Sequence, residues 1–161
     1  MTRTMQQTNV SKAILEGLRQ EVANAIALYL NYKKYHWQVS GPLFRDLHLL
    51  FDDHATQILA GVDELGERVR ILGGLAPHTP EQVAQIATVR LSPEGEQAPR
   101  QMIQEALENH EVVIKGMKTT IEDAAGNGDP GTADLLTRLI QVHEKQAWFL
   151  REVAARESSM L

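Results

Sequence analysis

The sequence predicts an all-α fold, a four-helix bundle with one long connection in its middle. Three observations predict it. Apolar residues recur at spacings of three and four along four long stretches. Aromatic residues are only 5% of the chain, while the helix formers Ala, Leu, Glu and Gln are frequent. Glycine and proline clusters separate the periodic stretches.

The first helix is expected over residues 11–37, with Ser11 as its N-cap and Ile14, Leu15, Leu18, Val22, Ile26 and Tyr29 on its apolar stripe. Ser40-Gly41-Pro42 breaks it. The second runs over 43–72 and stops at Gly73-Gly74. The 75–98 connection is too long for a bare loop. Thr79-Pro80-Glu81-Gln82 supplies a cap, a proline in the first helical position and a capping-box glutamine, so a short helix ending near Ala87 is expected there. The third long helix covers 99–125 and the fourth 130–156, joined by the turn Gly126-Asn127-Gly128-Asp129. The chain of 161 residues then reads as a short N-terminal tail (1–10), one bundle domain (11–156) and a C-terminal tail (157–161). One long crossover between the second and third long helices is the arrangement of ferritin-like bundles.

Composition narrows the function classes. The formal net charge is −5, which repels a phosphate backbone unless basic residues are segregated. Residues 1–10 carry one basic residue, Arg3, and in the last eleven residues Arg151 and Arg156 are offset by Glu152 and Glu157. There is no cysteine, which excludes disulfides and thiolate metal sites. The first twenty residues lack an apolar h-region, and the apolar run 25–30 is far too short to span a bilayer. A cytoplasmic protein with no membrane partner is expected.

The chemistry concentrates on the second helix. His48, Asp52, Asp63 and Glu67 fall near 0°, 40°, 60° and 100° around the axis at roughly 100° per residue. They form one face of mixed N/O donors for a borderline or hard cation. His48 and Glu67 are about 28 Å apart along the helix, so they cannot share an ion within it. Both 48/67 and 52/63 are centred on the gap between Gln57 and Ile58. An antiparallel copy related by a two-fold axis through that gap therefore sets His48 against the copy's Glu67, and Asp52 against its Asp63. Ala55, Thr56, Leu59 and Ala60 are expected on the same contact face. The apolar residues Leu47, Phe51, Ile58, Val62, Leu65 and Val69 lie near 260–320°, facing the core. The Glu-x-x-His motif of di-iron bundles is absent, so the metal face is not the core face. A helix hairpin brings His36 towards His48. Acidic pairs one turn apart are commonly just a solvated helix face; the symmetric spacing favours a metal site at a dimer interface.

At these residues the chain resembles a known family, the Dps-type miniferritins (DNA-binding proteins from starved cells). The resemblance is carried by His36-Trp37-Gln38-Val39-Ser40-Gly41-Pro42, by Leu47-His48-Leu49-Leu50-Phe51-Asp52, and by Asp63-Glu64-Leu65-Gly66-Glu67-Arg68. It extends to Gly128-Asp129-Pro130-Gly131-Thr132-Ala133-Asp134 and Ala147-Trp148-Phe149-Leu150, covering nearly the whole chain. It implies a hollow dodecamer with ferroxidase centres on two-fold interfaces. His36, His48 and Asp52 of one subunit would meet Asp63 and Glu67 of its mate. Fe(II) would be oxidised there, with hydrogen peroxide preferred, and ferric mineral stored, protecting against oxidative stress. Zinc accepts the same donors and is an expected competitor. The alternative, also implied, is a nucleoid protein that binds and compacts DNA, with iron oxidation secondary; the missing basic tail makes DNA binding weak or absent in this reading.

The resemblance also implies neighbours. Lys33, one turn before His36, pairs with Asp52 or is simply solvated. Trp37 is a sacrificial electron donor or an interface aromatic. Asp134, and more weakly Asp129 and Asp123, would line an acidic pore that guides Fe(II), although acids in a first helical turn also follow from the helix dipole. Trp148 is expected to be a core or packing residue and His54 a satisfied structural histidine. His78, His110 and His143 are assigned no role.

Overall fold

The computed structural model describes residues 12–156, so Ser11 and both expected tails lie outside the described residues. Five helices follow in order: α1 (Lys12–Gln38), α2 (Phe44–Ile71), α3 (Pro80–Ile86), α4 (Pro99–Gly126) and α5 (Pro130–Arg156). No strand occurs among the described residues. The fold is an all-α, ferritin-like four-helix bundle with a short helix in the long connection, as the sequence predicts.

α1 packs mainly on α2 and α4 mainly on α5, while α1 meets α4 and α2 meets α5 across the bundle. The largest fully buried side chains are Tyr32, Tyr35 and Phe51, whose rings meet at 5.5–6.0 Å between centroids. Burying one such aromatic contributes about 1.5–3 kcal/mol. On α2, Leu47, Phe51, Ile58, Leu65 and Val69 are buried as the periodicity requires, with Val62 half-buried. Ala55 departs from expectation. It is buried in the core and not on the outer contact face, because at about 340° it lies nearer the core stripe. Thr56, Leu59 and Ala60 remain exposed.

The short helix starts as its capping box dictates. Thr79 Oγ1 accepts from Gln82 N–H at 3.2 Å, and Gln82 Oε1 accepts from Thr79 N–H at 3.4 Å. The rest of the connection is held by three asparagines. Asn24 Oδ1 accepts from the N–H groups of Thr88 (2.8 Å) and Val89 (3.2 Å). Asn31 donates to Arg90 O (2.8 Å) and accepts from Ser92 N–H (2.9 Å). Asn109 accepts from Arg90 N–H (2.7 Å) and donates back to its carbonyl (2.9 Å). Side-chain amides thus satisfy backbone groups that no helix or strand pairs. No helix among the described residues is long and apolar enough to cross a membrane.

Candidate metal centre

Ser40-Gly41-Pro42 reverses the chain between α1 and α2, with Gly41 at φ +98° in the region that favours glycine. This hairpin brings His36 against His48. Their rings stack with centroids 3.8 Å apart and planes 22° from parallel. His36 Nδ1 lies 2.8 Å from the His48 carbonyl, and His48 Nδ1 lies 2.8 Å from the His36 carbonyl. A carbonyl only accepts, so each Nδ1 must carry the proton. Each Nε2 then presents a bare lone pair. Backbone carbonyls thereby set both tautomers and ring orientations, the arrangement that prepares histidines for metal ligation. His48 does a second job, since the His36 carbonyl sits in the last turn of α1 and lacks a helical partner.

Asp52 lies beside the pair, its Oδ1 4.0 Å from His36 Nε2. Lys33 Nζ donates to the same oxygen at 2.7 Å. That hydrogen bond holds the Asp52 carboxyl below the usual carboxylate range. Of the two readings open for Lys33, the paired one describes the structure. Trp37 is 71% exposed on the same surface, and Lys33 Nζ is 5.8 Å from its ring centroid. Phe44 covers the other side of His48 at 5.1 Å.

Asp63 and Glu67 are exposed further along α2 and make no ion pair or hydrogen bond among the described residues. Eleven residues separate Asp52 from Asp63, about 16 Å of helix. The chain therefore brings His36, His48 and Asp52 together and leaves Asp63 and Glu67 apart. Among the described residues no group of three or more His, Cys, Asp or Glu is arranged to hold a metal ion within one chain.

The acidic residues at the α4–α5 turn differ from one another. Asp129 caps α5, accepting from Thr132 N–H at 3.1 Å and from its hydroxyl at 2.6 Å, and pairs with Arg68 at 2.5 Å. Burial alone would raise its carboxyl, but the bonds from Thr132 and Arg68 outweigh it and hold it low. Asp129 is thus occupied within its own subunit. Asp134 is exposed and Asp123 half-buried.

The bundle centre contains a cluster that sequence spacing missed. Each long helix contributes one residue: Tyr32, His54, His110 and His143. Tyr32 Oη is 2.6 Å from His110 Nε2 and 3.2 Å from His54 Nδ1, and His110 Nδ1 is 2.9 Å from His143 Nδ1. Burial pushes His54 and His143 down to about 4, and holds His110 well below the usual imidazole range. The signal was available, because His110 continues the buried stripe Met102, Ile103, Ala106, Val113, Met117. His54 is the satisfied structural histidine expected. Of the two readings of Trp148, core or packing, the structure shows packing at the surface. The residue is 52% exposed, with its ring 5.0 Å from Phe149.

Fold and geometry together define a ferritin-like bundle with a stacked histidine pair and a carboxylate on an outer helix face. The Ferritin-like domain model matches residues 15–160. A Dps from Thermosynechococcus elongatus is 45% identical, with TM-score 0.90 over 98% of this chain and 99% of that one. DpsC from Streptomyces coelicolor is 37% identical, with TM-score 0.86 over 88% and 83%. DNA protection during starvation protein 1 of Deinococcus radiodurans is 32% identical over 88% of this chain and 69% of its own length. The chain belongs to the Dps-type miniferritins.

Proposed function

We propose that this protein is a ferroxidase and iron-storage cage, with each centre shared by two subunits across a two-fold axis. The observation that carries the reading is the His36–His48 pair, both Nδ1 atoms tied to backbone carbonyls and both Nε2 atoms bare beside Asp52. His36, His48 and Asp52 form one half-site, and Asp63 and Glu67 of a second copy complete it. The likeness supports this, since a Dps from Vibrio cholerae is described as a member of the ferritin-like diiron-carboxylate proteins. Iron is the substrate and cargo. Carboxylates favour the ferric state and imidazole tolerates both states, so the donor set draws Fe(II) towards oxidation. Two ferrous ions supply the two electrons that hydrogen peroxide needs, and this oxidant is the preferred one in our reading. Zinc competes for the same donors, in keeping with a Listeria innocua Dps examined after zinc soaking.

In this reading the assembly is a dodecamer of the cytoplasm that limits oxidative damage. Trp37, exposed on the same surface, either packs at the subunit interface or loses an electron to the centre. Asp134, with lesser parts for Asp123 and Asp129, guides Fe(II) through an acidic pore. DNA binding is a secondary property at most. Two relatives are named nutrient stress-induced DNA-binding proteins, yet this chain has a net charge of −5. A gel shift at low and physiological salt tests that point; binding retained at physiological salt restores DNA compaction as the main role.

The shared site is tested by complementation. Asp63→Ala and His48→Ala should each lose rapid Fe(II) oxidation, read as ferric absorbance after peroxide is added to anaerobically loaded protein. Mixed cages of the two variants should regain part of the rate, because some interfaces then contain one intact pair of halves. No recovery in proven hybrids refutes the shared centre.

A further inference from the structure

We propose that Tyr32 is a one-electron donor to peroxide at centres holding a single ferrous ion, with His110 and His143 carrying away its proton. The inference rests on the ferroxidase reading above and starts from geometry that reading does not use. Tyr32 is fully buried, and its hydroxyl lies 2.6 Å from His110 Nε2 against 3.2 Å from His54 Nδ1. The shorter contact assigns the phenol proton to His110, leaving His54 Nδ1–H to donate to the phenol oxygen. His110 then holds its own proton on Nδ1 and donates it to His143 Nδ1 at 2.9 Å. The row of hydrogen bonds has one direction, from α2 through α1 and α4 to α5.

Such a row is a path for a proton. A phenol that loses an electron becomes a far stronger acid than imidazolium, so its proton passes to His110 Nε2. The Nδ1 proton of His110 passes in turn to His143. Tyr32 is left as a neutral phenoxyl radical with its former proton equivalent two bonds away. Tyr32 and His110 are fully buried, and return of the electron requires the proton to retrace both steps.

The donor is close to the centre. Tyr32 precedes His36 by four residues on α1, about 6 Å along the axis, and its ring packs 6.0 Å from that of Phe51, which adjoins Asp52. A single Fe(II) gives peroxide only one electron. If Tyr32 gives the second, the O–O bond breaks into two hydroxides, iron becomes Fe(III), and the proton rests on His143. No hydroxyl radical is released. Trp37 is the exposed alternative, and its indole N–H has no hydrogen-bond partner among the described residues. Tyr35 is the buried alternative, but its proton acceptor is the Glu105 carboxylate at 2.5 Å, whose other oxygen meets Gln97 Nε2 at 3.4 Å and Arg90 Nε at 3.7 Å, with no imidazole beyond it among the described residues.

The test loads the assembled protein anaerobically with one Fe(II) per chain, adds hydrogen peroxide, and freezes samples for electron paramagnetic resonance. A tyrosyl signal is expected, narrowed when the protein is made with ring-deuterated tyrosine and slower to form in heavy water. Tyr32→Phe should lose that signal and release spin-trappable hydroxyl radical; Tyr35→Phe should keep the signal. A signal that survives in Tyr32→Phe, disappears in Tyr35→Phe, or ignores tyrosine deuteration overturns the proposal. Ring deuteration in the parent identifies a tyrosine, and retention of the signal in both Tyr29→Phe and Tyr35→Phe assigns it to Tyr32 even if Tyr32→Phe fails to fold; loss in either overturns the proposal. Parallel samples with two Fe(II) per chain separate the two levels. Rapid peroxide-dependent oxidation without any tyrosyl signal sinks only the Tyr32 relay, whereas no peroxide-dependent oxidation sinks the ferroxidase reading with it.

Discussion

Glu21 gives the sharpest test of the interior electrostatics. It lies on α1, buried, with Oε2 accepting from Asn24 Nδ2 at 3.2 Å and Oε1 without a partner among the described residues. No cation forms an ion pair with it among those residues. Burial pushes its carboxyl up to about 7 from the ordinary 4.5. The folded state therefore binds a proton that the unfolded chain releases between those two values. Stability contributed by that proton is fully present below pH 4.5 and is lost as pH rises through 7. The displacement corresponds to a loss of about 3 kcal/mol, at roughly 1.4 kcal/mol for each pH unit. Glu21→Gln keeps the shape and removes the titration. Urea unfolding of parent and variant at matched protein concentration, from pH 4.5 to 8, reads the difference. The unpartnered amide of Gln carries a cost that does not vary with pH, so the informative quantity is the slope. The gap between variant and parent should move in the variant's favour by about 3 kcal/mol across the range. Parallel curves would show that the carboxyl ionises normally and refute the reasoning.

Three further outcomes follow from the same structure. His143 runs in the opposite sense: with its folded value near 4, stability present above pH 6.5 is lost as pH falls towards 4. His143→Gln should flatten that acid limb by up to about 3 kcal/mol in the same denaturation series. Gly116→Ala places a Cβ 2.5 Å from Glu21 Oε1, the far end of a side chain that can shift. The clash and the helix-propensity gain of alanine therefore offset each other, and the unfolding midpoint should stay within an amount equivalent to about 1 kcal/mol. Asp129→Ala should lose about 1 kcal/mol or more with the α5 cap and the Arg68 pair, whereas Asp134→Asn should leave stability within about 0.5 kcal/mol and slow ferric absorbance growth in stopped flow if Asp134 guides iron.

The helices were legible because their signals are local. Period, caps and breakers sit within a few residues of one another, and every long helix ends within about two residues of its expected bound. The short helix was legible for the same reason, through Thr79 and Gln82. The asparagine clamps were not. Asn24, Asn31 and Asn109 look like ordinary polar residues until the fold sets them against a backbone stretch some sixty residues away in the chain for Asn24 and Asn31. Ala55 failed differently. Periodicity ranks positions around one helix but does not say how wide the neighbouring helices make the buried arc. At the candidate centre, the residue types and the face of α2 could be read from spacing. The reciprocal Nδ1-to-carbonyl bonds could not, since they depend on how α1 and α2 cross.

Those bonds also explain why the outer face, and not the core, suits metal chemistry here. Both regions hold histidines, so residue type does not separate them. In the core, His110 has both ring nitrogens engaged, one with Tyr32 and one with His143. A metal cation entering there would have to displace those hydrogen bonds, and no described carboxylate joins the three imidazoles to bind it. At the outer face the carbonyls of His36 and His48 take one nitrogen from each ring and leave the other bare. Asp52 adds negative charge, and Lys33 already holds positive charge at 2.7 Å from it, where an incoming cation would meet the same oxygen. The half-site thus tolerates a cation before any metal arrives. What it lacks is enough donors, and the exposed Asp63 and Glu67 of the same helix face are the unengaged carboxylates that a two-fold copy would deliver.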